Sequence, residues 1–156
     1  MKNKGLSLQV KELATQLSLA GTMPHILAVE DYLFEKAGDN PIELPVNHHH
    51  LDGVYIRELF MPAGTLLTGK IHHKEHISIL AQGEIRLSNG KEFMQIKAPH
   101  IMKDPPGTKR LIYALRDSTF INVIPTDKET LEDIEEEVVS DTFEQFAMKT
   151  LVRLGV

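Results

Sequence analysis

The chain changes its hydrophobic rhythm twice. From residue 6 to 20, Leu6, Val10, Leu13 and Leu17 recur at three- to four-residue spacing, the period of an amphipathic helix. Gly21 is placed to end that helix, because glycine enters the left-handed conformation of a helix stop without a Cβ penalty. A second helix is predicted from Pro24, which suits a first turn that needs no backbone N–H, to its stop at Gly38. The stretch "DNPIELPVN" that follows carries two prolines in five residues and reads as an extended linker.

From residue 51 the rhythm shortens. "GVYIRELFM", "TLLTGKIH", "HISILAQ", "EIRLS", "EFMQIKA", "HIMKD", "RLIYALR" and "TFINVIP" are short apolar or alternating runs. Between them stand turn-forming groups such as "PAG", "QG", "SNG" and "PPG". Seven or eight short strands with regular turns predict a β-sandwich or a small barrel. "SNG" is the sharpest hairpin signal, since Asn-Gly suits a two-residue type I′ turn. After Pro125 the helical period returns. Thr126 and Glu129 have capping-box spacing, and Leu131, Ile134 and Val138 form an apolar stripe. Asp141 to Glu144 is the predicted start of a last helix bearing Phe143, Phe146, Ala147, Leu151 and Leu154. The expected plan is helices and linker over 1–45, a β-domain over 46–125, and acidic helices packed on it over 126–156.

Composition narrows the chemistry. The 156 residues contain no cysteine, which removes disulfides, thiolate metal sites and cysteine nucleophiles. The net charge of −5 is concentrated in residues 127–144, where nine acidic residues stand with one lysine, the pattern of a solvated helix face. No basic footprint marks a nucleic-acid partner. No apolar run approaches the roughly 20 residues of a membrane-spanning helix, and no apolar h-region follows the N-terminus, so a cytoplasmic address is expected. P-loop, G-x-S-x-G and H-E-x-x-H signatures are all absent.

Three of the eight histidines, His72, His73 and His76, fall within five positions. If 66–72 and 76–80 are strands joined by a tight turn, His72 and His76 come close, and Lys70 and Thr68 share the face of His72. Two imidazoles need a third ligand to hold a metal firmly. His49, His50 and His100 are candidates, with Glu58 or Glu75 as carboxylate alternatives. Zinc, iron, manganese and nickel all accept such donors. Against this stands plain exposure of a histidine pair at a turn. His73 should oppose His72 and lie on the surface. In the "HHH" tract, His48 and His50 share a face and His49 takes the other.

The spacing in this region resembles the cupin superfamily. The first cupin motif is a glycine, five residues, His-x-His, three or four residues, Glu, six residues, and glycine. Here Gly64 and Gly83 match its glycines, His72 its second His and His76 its Glu, while Lys70 occupies the first His position. In the second motif Pro105, Pro106 and Gly107 match Pro-x-Gly, but Arg110 stands at the His position, Ala114 at the Asn position and Pro99 at the opening glycine. The segments around both motifs are also similar to small cupin-like proteins of bacteriophages and their bacterial hosts.

The resemblance implies a mainly β fold, a small jelly-roll barrel flanked by N- and C-terminal helices, with a ligand site in the barrel mouth. It implies a divalent metal on His72 and His76, completed by His50 or His100, and leaves open a metal-dependent oxygenase, isomerase or hydrolase. Lys70 and Arg110 cannot ligate a metal. Pointing inward with the two histidines, they would instead form a cationic pocket for a small anion, with Tyr113 and Arg57 at its mouth. Glu58, Glu75 or an acidic ligand would then balance Arg110, since a buried guanidinium needs an anionic partner. The alternative of another class is a non-catalytic accessory protein of phage or bacterium with a degenerate metal site. A homodimer involving the terminal helices is expected.

Overall fold

The computed structural model describes residues 22–38 and 42–155; the helix predicted over 6–20 lies outside them. Helix α1 (Met23–Ala37) precedes ten strands: β1 (Val46–Leu51), β2 (Val54–Met61), β3 (Leu66–Thr68), β4 (Ile71–His72), β5 (His76–Gln82), β6 (Glu84–Ser88), β7 (Phe93–Lys97), β8 (His100–Asp104), β9 (Leu111–Ala114) and β10 (Ser118–Pro125). Helix α2 (Leu131–Val138), strand β11 (Val139–Ser140) and helix α3 (Phe143–Arg153) follow. The strands form a five-stranded sheet of order β1-β2-β10-β5-β8 and a four-stranded sheet of order β3-β9-β6-β7, with β11 and β4 as a separate pair. All strand pairings are antiparallel. Two such sheets face to face make a mainly β jelly-roll barrel, with helices before and after it.

Alternation along the strands sets what fills the barrel. In β10, Ser118, Phe120, Asn122 and Ile124 point inward, and in β5, His76, Ser78 and Leu80 do. The register then sorts the interior by height. Phe120 lies opposite Leu59 and Leu80, in an apolar layer completed by Met61, Ile85, Leu87, Ile96, Ile112 and Ala114. Two residues along, Asn122 lies opposite Arg57 and Ser78, and beyond it His76 lies opposite Asp104. One end of the barrel is therefore hydrocarbon and the other polar.

Both described helical regions close onto this frame. On α2, Ile134 and Val138 pack with Tyr55 and Ile124 at the polar end. On α1, Ile26 and Val29 pack with Leu111, and Glu30 accepts from Lys109 Nζ (2.6 Å) and Thr68 Oγ1 (2.8 Å). Lys109 is only 1% exposed and also donates to the Gly69 carbonyl, at 2.8 Å. Gly83 permits the β5–β6 turn: its φ is +95°, and a Cβ there would overlap Ser118 and the Asp117 carbonyl.

Five local expectations change. Val46 and Asn47, read as linker, are the start of β1, because the β2 edge supplies them with backbone partners. "SNG" does not form a two-residue turn. Ser88 pairs with Phe93, leaving a four-residue loop in which Asn89 Oδ1 accepts from the N–H groups of Lys91 and Glu92. The cap of α2 is Thr130, whose hydroxyl accepts from Asp133 N, while Thr126 instead donates to Glu137. That bond and an ion pair with Lys74 make Glu137 part of the packing, although Glu135 and Glu136 are solvated as expected. On α3, Leu151 and Leu154 are exposed, and Phe146 carries the contact with the rest of the fold.

The Lys109–Glu30 pair gives a direct test of how α1 is held. Glu30→Ala leaves an ammonium group buried without its counter-charge, and should cost about 3–5 kcal/mol in urea unfolding. Replacing both partners by apolar residues, Glu30→Leu with Lys109→Met, should cost much less. Equal losses in the two variants would show that the charge pair is not what anchors α1.

Candidate functional site

The polar end of the barrel encloses a cavity of about 390 Å³. Leu59, Ile112 and Phe120 form its floor, and Leu131, Ile134 and Val138 of the α2 region line it as well. Arg57, Lys70, His72, His76, Ser78, Arg110 and Asn122 line it with polar groups.

His72 and His76 meet as the tight turn predicted. Residues 73–75 connect β4 to β5, and the two rings stack with centroids 4.1 Å apart and planes at 22°. The backbone of His72 is fixed by the "PPG" loop: its N–H donates to the Thr108 carbonyl (3.0 Å), and its carbonyl accepts from Gly107 N (2.7 Å). Burial pushes the His72 imidazole down to about 3, helped by the neighbouring His76, Arg110 and Arg57. His76 is lowered too, chiefly by burial, although the Lys74 carbonyl 3.0 Å from its Nδ1 works in the other direction. Two neutral rings can stack here where two imidazolium ions would repel.

Asp104 organises the remaining groups. It is 2% exposed, pairs with Arg110, accepts from the Ser78 hydroxyl, and places Oδ2 3.3 Å from His76 Nε2. Ser78 Oγ also lies 3.1 Å from Asn122 Oδ1. Burial lowers Arg110 to about 10, which leaves it charged at neutral pH. Its guanidinium sits 6.0 Å from the Phe120 ring centre, and its buried Nε has no hydrogen-bond partner among the described residues. Lys70 stands at the rim with Glu135 (3.9 Å) and Asp141 (3.3 Å). The side chain of Arg57, half-buried on β2, makes no ion pair or hydrogen bond with the described residues.

The structure thus brings His72, His76, Lys70, Arg110 and Arg57 to one cavity. It does not bring the other candidates there. Tyr113 follows the inward-facing Ile112 on β9 and points to the opposite face. His50 is exposed near the end of edge strand β1, opposite Tyr55 and with its ring 5.4 Å from that of Tyr55, and it does not line the cavity, although His48 two residues earlier does. His100 is opposite Leu80, four residues from Asp104 along β8, or about 13 Å at the usual rise. The partner of Arg110 is Asp104, not Glu58 or Glu75, which pair with His49 (3.2 Å) and Lys103 (3.1 Å). His73 is not on the surface. It is 8% exposed, with Nε2 2.6 Å from Ser140 Oγ and its ring stacked 4.5 Å from Phe146, because β11 and α3 cover it.

Asp104, Asn122, Tyr55 and His48 are the residues that sequence reasoning did not single out. The Tyr55 hydroxyl is 2.7 Å from His48 Nδ1, and both line the cavity. A polar Asn between inward Phe120 and Ile124 was the readable signal for Asn122. Nothing in the chain order announces that Asp104 will face His76.

A metal is what the fold's resemblance implied, and the donors only partly suit one. His76 and Asp104 face each other, but Asp104 is already bound by Arg110 and Ser78. Among the described residues no three His, Asp or Glu side chains converge as a ligand group. Two arginines and a lysine line the same space. The residues present therefore do not fit a firmly held divalent ion.

No family model matches the chain, and no curated protein does. Solved structures do resemble it. A cupin family protein with a double-stranded β-helix fold from Methanocaldococcus jannaschii is 20% identical, over 57% of this chain and 85% of that one, with a TM-score of 0.47. A cupin superfamily protein from Desulfitobacterium hafniense is 11% identical, over 55% and 79%, with a TM-score of 0.48. KdgF from Halomonas sp. is 15% identical, over 62% and 89%, with a TM-score of 0.50. At these identities the likeness concerns the fold alone. The strand order is that of a jelly roll. Among the described residues no helix is long and apolar enough to cross a membrane.

The lowered His72 has a measurable consequence. The unfolded chain protonates this residue at its ordinary 6.5, whereas the folded chain resists until about 3. Between those values the unfolded state binds more protons, so stability falls as pH drops. His72→Gln should flatten that dependence in thermal unfolding between about pH 7 and pH 4.5. An unchanged slope would mean that His72 is not held neutral by the fold.

Proposed function

We propose that this cavity binds a small organic anion, with Arg57 as the residue that anchors its charge. The observation that carries this is the state of Arg57: a half-buried guanidinium lining a partly open cavity, with no counter-ion among the described residues. A guanidinium offers a planar fork of donors that matches a carboxylate. The unpartnered Nε of Arg110 adds a second donor on the same cavity. The hydrocarbon floor gives the rest of the ligand an apolar surface, and the volume lies in the range of small-molecule sites.

One observation favours a second reading, a bound metal. His76 Nδ1 is placed to donate to the Lys74 carbonyl, which turns the lone pair of Nε2 toward Asp104. Metal-ligating histidines commonly use a carbonyl in this way. A metal so placed would still need a ligand that the described residues do not provide.

Calorimetric titration with a panel of small carboxylates, benzoate and hexanoate among them, tests the proposal. Arg57→Gln should weaken binding about 10- to 100-fold, the loss of a charged hydrogen-bonding partner. Anions that bind the variant as well as the parent would overturn it. Metal analysis of protein purified without an affinity tag tests the second reading. About one ion per chain, retained on dialysis and lost in His76→Ala, would support the metal instead.

A further inference from the structure

We infer that Asp104 sets the charge of the ligand, so that the cavity selects a monocarboxylate with a compact apolar body over dianions such as dicarboxylates and phosphate monoesters. The inference rests on the anion reading above and adds a count of compensated charges. Three cationic side chains line the cavity: Arg57, Lys70 and Arg110. Lys70 is half-exposed at the rim and already faces Glu135, which lines the cavity, and the exposed Asp141 outside it. Arg110 is buried against Asp104. The two histidines stack face to face at 4.1 Å, a geometry suited to neutral rings. Set against the three lining cations are the carboxylates of Glu135, which lines the cavity, and of the buried Asp104, which leaves the site one unit positive, with Arg57 the cation that has no side-chain partner among the described residues.

A ligand with one negative charge closes that count. A second negative charge would have to be buried without a cation of its own, beside the Asp104 carboxylate that holds Arg110. Burying an unpaired charge is strongly unfavourable, so discrimination should come from this repulsion as much as from the Arg57 contact. The floor of Leu59, Ile112 and Phe120 requires an apolar body and offers no donors to a second polar end. Asp104 is thus a specificity-determining residue that need not touch the ligand. It acts by spending the charge of Arg110.

Benzoate, phthalate and benzamide supply one negative charge, two, and none on a similar ring. By calorimetry the parent should bind benzoate about tenfold or more tightly than either of the others. Asp104→Asn keeps the side-chain shape and frees Arg110. It should raise phthalate affinity relative to benzoate by about tenfold or more. Arg57→Gln should lose benzoate, and Arg57→Gln with Asp104→Asn should regain it, because Arg110 then carries the uncompensated charge. A folded Asp104→Asn protein with an unchanged phthalate-to-benzoate ratio would overturn the inference while leaving anion binding intact. Should that variant fail to fold, the parent still decides, since phthalate binding as tight as that of benzoate overturns the charge count. A parent that binds neither anion overturns the reading of the site itself.

Discussion

The polar end of this barrel depends on the burial of an aspartate against an arginine. Asp104 closes β8 and Arg110 precedes β9, so the five-residue connection between them must return the chain to within ion-pair distance. Gly107, at a φ of +86°, gives that loop its turn and bonds back to the carbonyl of His72. The same carboxylate takes the Ser78 hydroxyl and faces His76. Without it, a buried guanidinium would have no counter-charge, a penalty comparable to much of a small domain's net stability. The position of the loop, the tilt of His76 and the charge of the cavity therefore follow from one pair.

The rest of the molecule keeps that pair in place while leaving room beside it. The apolar layer around Phe120 and Leu80 packs the far half of the barrel and leaves the near half to side chains that need partners. Helix α2 does not fill the near half; Ile134 and Val138 wall it off. His73 is covered by β11 and α3 on the outside, whereas His72, its neighbour in sequence, faces inward. One turn thus serves the C-terminal packing and the cavity with alternate residues.

Much of the architecture was legible in the chain because it rests on local rules. Period-two alternation, glycine and proline punctuation and the return of a helical period place the described strands and helices within a few residues. The meeting of His72 and His76 was legible for the same reason, since three intervening residues leave little freedom. Where local signals misled, a nonlocal partner had won. Asn89 was drawn into an Asx loop by the register of Ser88 with Phe93, and Thr126 was drawn from capping to Glu137.

What the sequence by itself determined is which residues point inward and which chemical types are available: imidazoles without thiolates, and cations where a cupin keeps its histidines. What only the tertiary structure decided is who pairs with whom. Strand order puts β8 beside β5, and hence Asp104 against His76, twenty-eight positions along the chain. The register also leaves His50 exposed near the end of β1, opposite Tyr55, and carries His100 to the far end of β8. Side-chain direction is a property of each strand's own pleat, whereas partnership depends on the order and offset in which separate strands pack, and no short window of sequence contains that information.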